Sequence, residues 1–244
     1  PWLNFTSGSD LRCIDTTLLN NDPALNPLLL NLSGSSKIVF EALTLNNAKF
    51  NLTSCTGFSL TNSSINYTKE FAVLTNCNDV KIENNVATNS NASTSNTNID
   101  VGGIDLQNGG GNFIGTVSNG IRVVYSTPAD VNGTVKNKNL SVSHNQFFHT
   151  YIANGFEVPF GRDAFIRVSL NQLSLSPVSV QNIQIQNNYF NEKRTQNSNA
   201  LIQRCAAIAI IHNGNSQADG YTHYGSTVIN SSISNNYCEQ SQGI

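Results

Sequence analysis

The feature that most constrains this chain is a short pattern that returns along its length: apolar, any residue, apolar, any residue, and then Asn. The pattern is clearest at residues 58–62, 80–84, 104–108 and 183–187. Alternation with a period of two is typical of a strand with one buried face. The Asn that closes each copy indicates a turn, because Asn tolerates left-handed backbone conformations and its amide can bond nearby backbone groups.

Stronger and weaker copies of this pattern recur with a mean spacing of about 21.5 residues, a length typical of stacked repeats. Such a repeat lets short strands stack in parallel, so that their inward side chains form aliphatic columns. The sequence therefore predicts an all-β fold, a right-handed parallel β-helix of about 10–11 coils, as a single domain over residues 1–244. The second apolar residues of the copies, used as markers, are Leu18, Leu45, Leu60, Ile82, Leu106, Val123, Val142, Val168, Ile185, Ile210 and Ile233.

Leucine-rich repeats share a period in the twenties and a turn Asn, but they need several Leu at fixed spacing. Here Ile, Val and Phe share those positions with Leu, so the β-helix explains the pattern better.

Composition excludes two classes of partner. Only 11% of the residues are charged and the net charge is −2, so the chain has no basic stripe of the kind that binds nucleic acid. No apolar run approaches the roughly 20 residues of a membrane-spanning helix, so no membrane insertion is expected. No calcium-binding Asp cluster is evident, and we expect neither a metal nor another cofactor. The chain contains no Met, which favours a piece of a larger protein.

The cysteines keep a fixed distance from the markers of the repeat. Cys13, Cys55, Cys77 and Cys205 each lie five residues before a marker, which predicts that they share one column of the coil. A disulfide between the adjacent Cys55 and Cys77 is conceivable. Small buried thiols that stack in a core are the simpler interpretation, and they indicate folding in a reducing compartment.

The repeat over residues 16–237 resembles the right-handed parallel β-helix superfamily that includes pectate lyases, polygalacturonases and phage tailspikes. The resemblance implies a polysaccharide partner, most like a bacterial surface polysaccharide that is cut by a glycoside hydrolase or a polysaccharide lyase. It also implies a location on a virion tail or at a cell surface, and a homo-oligomer, as a trimer, in the intact protein. A non-catalytic adhesin or a structural fibre segment is the alternative, because a shared fold sets an expectation without proving an activity.

Family motifs do not appear. The chain lacks the ordered Asn-Thr-Asp, Asp-Asp, Gly-His-Gly and Arg-Ile-Lys blocks of polygalacturonases. The segment from Arg162 to Arg167 lacks the proline and the spacing of the pectate lyase block Arg-x-Pro-x-x-Arg. The resemblance therefore assigns no catalytic residue, and the candidates come from the placement of the scarce charges.

The first candidate site follows the outward positions of three successive copies, Lys81, Asp105 and Arg122. Glu83 and Gln107 extend it. If their strands are adjacent, Glu83 and Asp105 are diagonal neighbours roughly 8 Å apart. That separation suits an inverting hydrolase, with one carboxylic acid and one carboxylate that activates water. The alternative is a surface ion ladder without chemistry.

Two longer intervals supply the remaining candidates. Glu157, Arg162 and Asp163 fall in the interval before marker Val168, where extra length predicts a projecting loop. The alternative is a solvated turn with an Arg–Asp pair. Arg167 and Tyr224 complete the predicted substrate contacts, with Glu83, Asp105, Glu157 and Asp163 as the catalytic candidates. His144 and His212 are expected to replace Asn in the turn column.

Overall fold

The structure is a computed structural model that describes residues 3–20, 28–67, 70–89, 120–130, 132–152, 164–171, 178–195, 206–213 and 227–243. Within these ranges the chain forms 22 β-strands and no α-helix. Accordingly, no helix in the described ranges is long and apolar enough to cross a membrane.

The strands form three sheets, which we call sheets A, B and C, and every pairing is parallel. The strands of sheet A are β1 Leu3–Thr6, β4 Leu28–Ser33, β7 Ala48–Thr53, β10 Ala72–Thr75, β13 Ile121–Tyr125, β16 Ala164–Asn171 and β19 Ala206–Asn213. The strands of sheet B are β2 Arg12–Ile14, β5 Ser36–Glu41, β8 Thr56–Thr61, β11 Val80–Glu83, β14 Asn137–Ser143, β17 Val180–Gln186, β20 Val228–Ile229 and β21 Ser232–Ser234. The strands of sheet C are β3 Thr17–Leu19, β6 Thr44–Asn46, β9 Ser64–Tyr67, β12 Val86–Asn89, β15 Gln146–Ile152, β18 Tyr189–Thr195 and β22 Tyr237–Gly243.

The chain visits sheets A, B and C in turn and then repeats the cycle one rung further on. This connectivity is a parallel β-helix, so the predicted fold class is confirmed. The predicted number of about 10–11 coils is too high for the described residues, in which each sheet has seven rungs. The markers came from all three sheets: Leu18 and Leu45 lie in sheet C, Leu60 and Ile82 in sheet B, and Val123 in sheet A.

The core lies between the sheets and is built from inward columns that run along the solenoid. One column of sheet B stacks in register from rung to rung and is almost completely buried. Aromatic rings fill the wider places, with the ring centroids of Phe147 and Phe190 5.1 Å apart and nearly parallel. The inward column of sheet B comprises Phe40, Leu60, Ile82, Val142 and Ile185.

The predicted turn Asn is confirmed at the step from sheet B to sheet C. Asn62, Asn84 and Asn187 have positive φ values of 54°, 57° and 56°, and His144 takes the same position with a φ of 55°. His212 does not share that column, because it belongs to strand β19 of sheet A.

The amide ladder is formed by the residue that follows each turn Asn. Asn85, Asn145 and Asn188 are buried, and each side-chain nitrogen lies 3.0 Å from the amide oxygen of the Asn one rung on. The same oxygens accept backbone N–H groups at 3.0 Å. These residues therefore satisfy the buried polar groups of a turn that would otherwise cost stability.

The predicted cysteine column is confirmed for Cys55 and Cys77 and is wrong for Cys13. Cys55 and Cys77 occupy equivalent buried turn positions after β7 and β10. Cys13 lies within β2 and pairs with Phe40. Cys205 lies outside the described residues. Cys13, Cys55, Cys77 and Cys238 are free thiols in this structure.

Cys55 and Cys77 form a coupled pair of buried thiols. The hydrogen bond with Cys77 lowers the pKa of Cys55 to about 7. The same hydrogen bond, followed by burial, raises the pKa of Cys77.

Candidate functional site

The lengths of the connections single out the outer face of sheet A. The described steps from sheet B to sheet C take two residues each, as at residues 62–63, 84–85 and 144–145. The long connections instead enter or leave strands of sheet A, and both ends of β13, β16 and β19 are flanked by inserted sequence. Rigid elements flanked by long loops are common positions for binding groups. The long connections, of eight or more residues, are 20–27, 90–120, 126–136, 153–163, 172–179, 196–205 and 214–227.

Charged side chains gather on this face. Arg122 of β13 pairs in register with Arg167 of β16, so two outward arginines lie on adjacent rungs. Glu70 precedes β10 and bridges two cations: one oxygen is 2.7 Å from Arg122 Nε, and the other is 2.8 Å from Lys49 Nζ. We call these four residues the sheet A cluster. In a chain with 11% charged residues, two cations at one carboxylate and a third on the rung next to Arg122 are a concentrated positive site.

The electrostatics fix Glu70 as a carboxylate. Burial of its side chain would raise its pKa, but the charges of Lys49 and Arg122 and their hydrogen bonds outweigh that effect. The pKa of Glu70 therefore lies below its ordinary value. An ionised carboxylate held by two cations orients them and is a poor proton donor, so Glu70 is a positioning group rather than a general acid.

The two arginines differ in their surroundings. Arg122 keeps 18% of its side chain exposed, and its Nε is the nitrogen bonded to Glu70. Arg167 is buried, at 2% exposure, and its Nε donates to Ser169 Oγ at 3.2 Å. The accessible cations of the cluster are therefore Arg122 and Lys49, whose side chain is 22% exposed.

Lys81 and Glu83 project from sheet B, on a different face. Lys81 Nζ is 2.5 Å from Glu83 Oε2, and Ser143 Oγ donates to Glu83 Oε1 at 3.3 Å. The hydrogen bond from Lys81 is the main reason that the pKa of Glu83 lies below its ordinary value. His144 Nδ1 lies 3.8 Å from the same carboxylate, so Glu83 is set in a polar surface cluster.

The expected ladder from Lys81 through Asp105 to Arg122 does not form. The strand next to β11 in sheet B is β14, which places Ser141 beside Lys81 and Ser143 beside Glu83. Arg122 lies in sheet A. The strand adjacency expected for Glu83 and Asp105 is therefore wrong, since the neighbours of β11 are β8 and β14, and Asp105 itself lies outside the described residues.

The other predicted residues lie outside the described residues, and they stay predictions. Their positions in the sequence still assign each to a connection that joins a strand of sheet A. Asp105 and Gln107 precede β13, Glu157, Arg162 and Asp163 precede β16, and Tyr224 follows β19.

Lys49 and Glu70 were not among the predicted residues, because the sequence pattern did not identify β7, which contains Lys49, or β10, which Glu70 precedes. The strands β4, β7 and β10 alternate as predicted, but Gly34 and Ser54 follow the first two in place of Asn. The third, with Ala72 and Leu74 before Asn76, fits the pattern with a small first apolar residue. A search that accepted Gly, Ser or Asn at the turn would have found all three.

In the described ranges, no group of three or more His, Cys, Asp or Glu residues is placed to hold a metal ion. Comparisons with protein-family models, with curated proteins and with solved structures find no significant match to this chain. The three parallel sheets are compatible with the superfamily that the repeat resembles.

Proposed function

We propose that this protein binds an extended polysaccharide along the outer face of sheet A, as a tailspike-like or depolymerase-like β-helix does. The observation that carries the proposal is the sheet A cluster, because its Arg122 lies on β13, the first of three consecutive rungs of sheet A that long connections flank at both ends. A flat parallel sheet offers a rigid surface for an extended chain, and the flanking segments offer further contacts.

The chemistry of the accessible cations suits oxygen-rich ligands. A guanidinium group has five N–H donors and an ammonium group has three. Among the described residues, Glu70 takes one donor of Arg122 and one of Lys49. The remaining donors can bind sugar hydroxyl or carboxylate oxygens, while Glu70 holds both side chains in place.

Cleavage of the polysaccharide is the second part of the proposal. Asp105, Glu157 and Asp163 belong to connections that enter sheet A, so they are the catalytic candidates for a hydrolase or a lyase at this face. Glu83 belongs to sheet B and is assigned to a separate surface. A bacterial surface polysaccharide as ligand, a virion tail or cell-surface location and a homotrimer complete the proposal.

The test is a screen against a panel of bacterial capsular and O-antigen polysaccharides, with binding and newly formed reducing ends measured together. We expect Arg122→Ala to weaken binding about tenfold or more, because a charged donor to the ligand is lost. Arg12→Ala is the matched control, since Arg12 is an exposed arginine on sheet B.

The outcomes separate the alternatives. Binding that depends on Arg122 without new reducing ends or unsaturated products would indicate the non-catalytic adhesin. Equal binding by Arg122→Ala and Arg12→Ala would place the ligand elsewhere. No binding to any polysaccharide in the panel would favour a structural fibre segment.

A further inference from the structure

The outer face of sheet C changes character along the solenoid. On its early rungs the outward residues are small and polar, as at Thr44 and Ser64. On the rungs formed by β18 and β22, the same outward position carries Tyr189 and Tyr237, while Phe148 of β15 lies in the second outward column, in register with Asn191 and Glu239. Outward rings add nothing to the core of the solenoid, and a group of them on neighbouring rungs is typical of a binding surface.

The three rings are in contact with one another. The ring centroids of Tyr189 and Tyr237 are 5.7 Å apart, and the ring planes differ by 8°. Phe148 meets Tyr189 edge-on, with a centroid distance of 5.8 Å. Tyr237 is 62% exposed. The contacts hold the rings in fixed positions, so a ligand would pay little entropy to order them.

Polar groups lie at the rim of these rings. The Asn191 amide donates to Tyr189 Oη at 2.8 Å, and the Tyr189 hydroxyl donates to the Glu239 carboxylate. Asn191 also donates to Glu239 at 3.4 Å. An exposed ring, a carboxylate and an amide therefore meet on one side of sheet C. We call Phe148, Tyr189, Asn191, Tyr237 and Glu239 the tyrosine platform.

We propose that the tyrosine platform binds a neutral sugar unit of a glycan, at a site separate from the sheet A cluster. A pyranose ring presents C–H groups on its face and hydroxyl groups at its rim. The C–H face packs on an aromatic ring, and Tyr is well suited because it combines an apolar body with a polar tip. The hydroxyl groups donate to the Glu239 carboxylate and to the amide oxygen of Asn191.

The charges of the platform select a neutral sugar. Glu239 is the charged member of the platform, and in the described ranges no salt bridge pairs it with a cation. A carboxylated or sulfated sugar would be repelled there. The cationic sheet A cluster has the opposite preference, so the two surfaces are distinguishable by ligand charge.

The test uses four neutral hexasaccharides, cellohexaose, laminarihexaose, mannohexaose and chitohexaose, each titrated calorimetrically into the full chain. We expect at least one to bind, and Tyr237→Ala to weaken its binding about tenfold by removing the stacking surface. Tyr237→Phe keeps the ring and should bind within about twofold of the unchanged protein. Glu239→Gln should weaken binding, and Thr44→Ala, an outward substitution on an early rung of sheet C, should leave it unchanged.

Three results would overturn this proposal. The first is that none of the four hexasaccharides binds. The second is that Tyr237→Ala binds as tightly as the unchanged protein, or that Arg122→Ala alone abolishes binding, which would assign the sugar to sheet A. The third is self-association that sedimentation shows to depend on Tyr237, which would assign the platform to a second copy of the chain. If no polysaccharide binds at the sheet A cluster, hexasaccharide binding by the Tyr237 variants still tests the tyrosine platform. Each proposal can therefore fail without the other.

Discussion

At the scale of single residues, Glu70 determines whether the sheet A cluster exists. Its carboxylate contacts Lys49 on one side and Arg122 on the other, and it is 9% exposed. Removal of one partner from a buried ion pair leaves an uncompensated charge, which is more costly than the pair is stabilising. The partly exposed cations retain some hydration, which reduces that cost.

We therefore expect Glu70→Gln to lower the free energy of unfolding at neutral pH by about 2 kcal/mol. The pKa of Glu70 is lowered in the folded protein, so its stabilising contribution is present above the pKa of an unfolded glutamate. That contribution is lost as the pH falls through the folded pKa. Denaturant unfolding at several pH values should show that the difference in free energy of unfolding between the unchanged protein and Glu70→Gln becomes smaller in acid. A difference that stays constant or grows in acid would contradict the assignment of Glu70 as the ionised partner of Lys49 and Arg122.

Some features of single residues could be predicted from the sequence, and others could not. Asn62 and His144 could be assigned to turns because a polar residue after a strand signals a left-handed position. Arg122 and Arg167 could be identified as outward charges, but not as neighbours. Their pairing depends on β13 and β16 being consecutive rungs of sheet A, and the long connections 126–136 and 153–163 conceal that from any local pattern.

At the scale of elements, the turn between sheets B and C is the most regular part of the molecule. Asn145 is its central member: its amide nitrogen donates to the carbonyls of Ile82 and Ser143 and to Asn188 Oδ1, each at 3.0 Å. Its oxygen accepts from the backbone and side chain of Asn85. One side chain therefore connects three coils.

Asn145→Ala should lower the free energy of unfolding by about 3 kcal/mol, because buried backbone groups on two rungs lose their partners. Gln184→Ala, an exposed substitution on the adjacent strand β17, should change it by less than about 0.5 kcal/mol. Thermal and denaturant unfolding of both variants would measure this. A loss for Asn145→Ala as small as that for Gln184→Ala would show that the ladder does not stabilise the turn.

The sequence predicted the type of element, the β-strand, correctly, but it did not predict the number of coils. Period-two alternation identified strands such as β8, β11, β14 and β17, because their inward residues must all be apolar. The coil number failed because strands of all three sheets share that alternation. Only the pairing register assigns Val123 to sheet A and Ile82 to sheet B.

At the scale of the whole molecule, the solenoid presents three faces with different chemistry. Sheet A carries the cationic cluster, sheet B an exposed array of Ser, Thr and Gln with Lys81 and Glu83, and sheet C the tyrosine platform. Because the fold repeats, these differences come from the outward side chains and from the insertions. The proposed polysaccharide site follows from the side of the solenoid to which those insertions attach.

The most direct test of that assignment is the rate of lysine acetylation, measured by mass spectrometry with and without a polysaccharide that binds in the screen. Lys49 reports on sheet A, while Lys81 and Lys138 report on sheet B. We expect the bound polysaccharide to slow acetylation of Lys49 several-fold and to leave Lys81 and Lys138 unchanged. Slower acetylation of Lys81 with no change at Lys49 would contradict the assignment and move the site to sheet B.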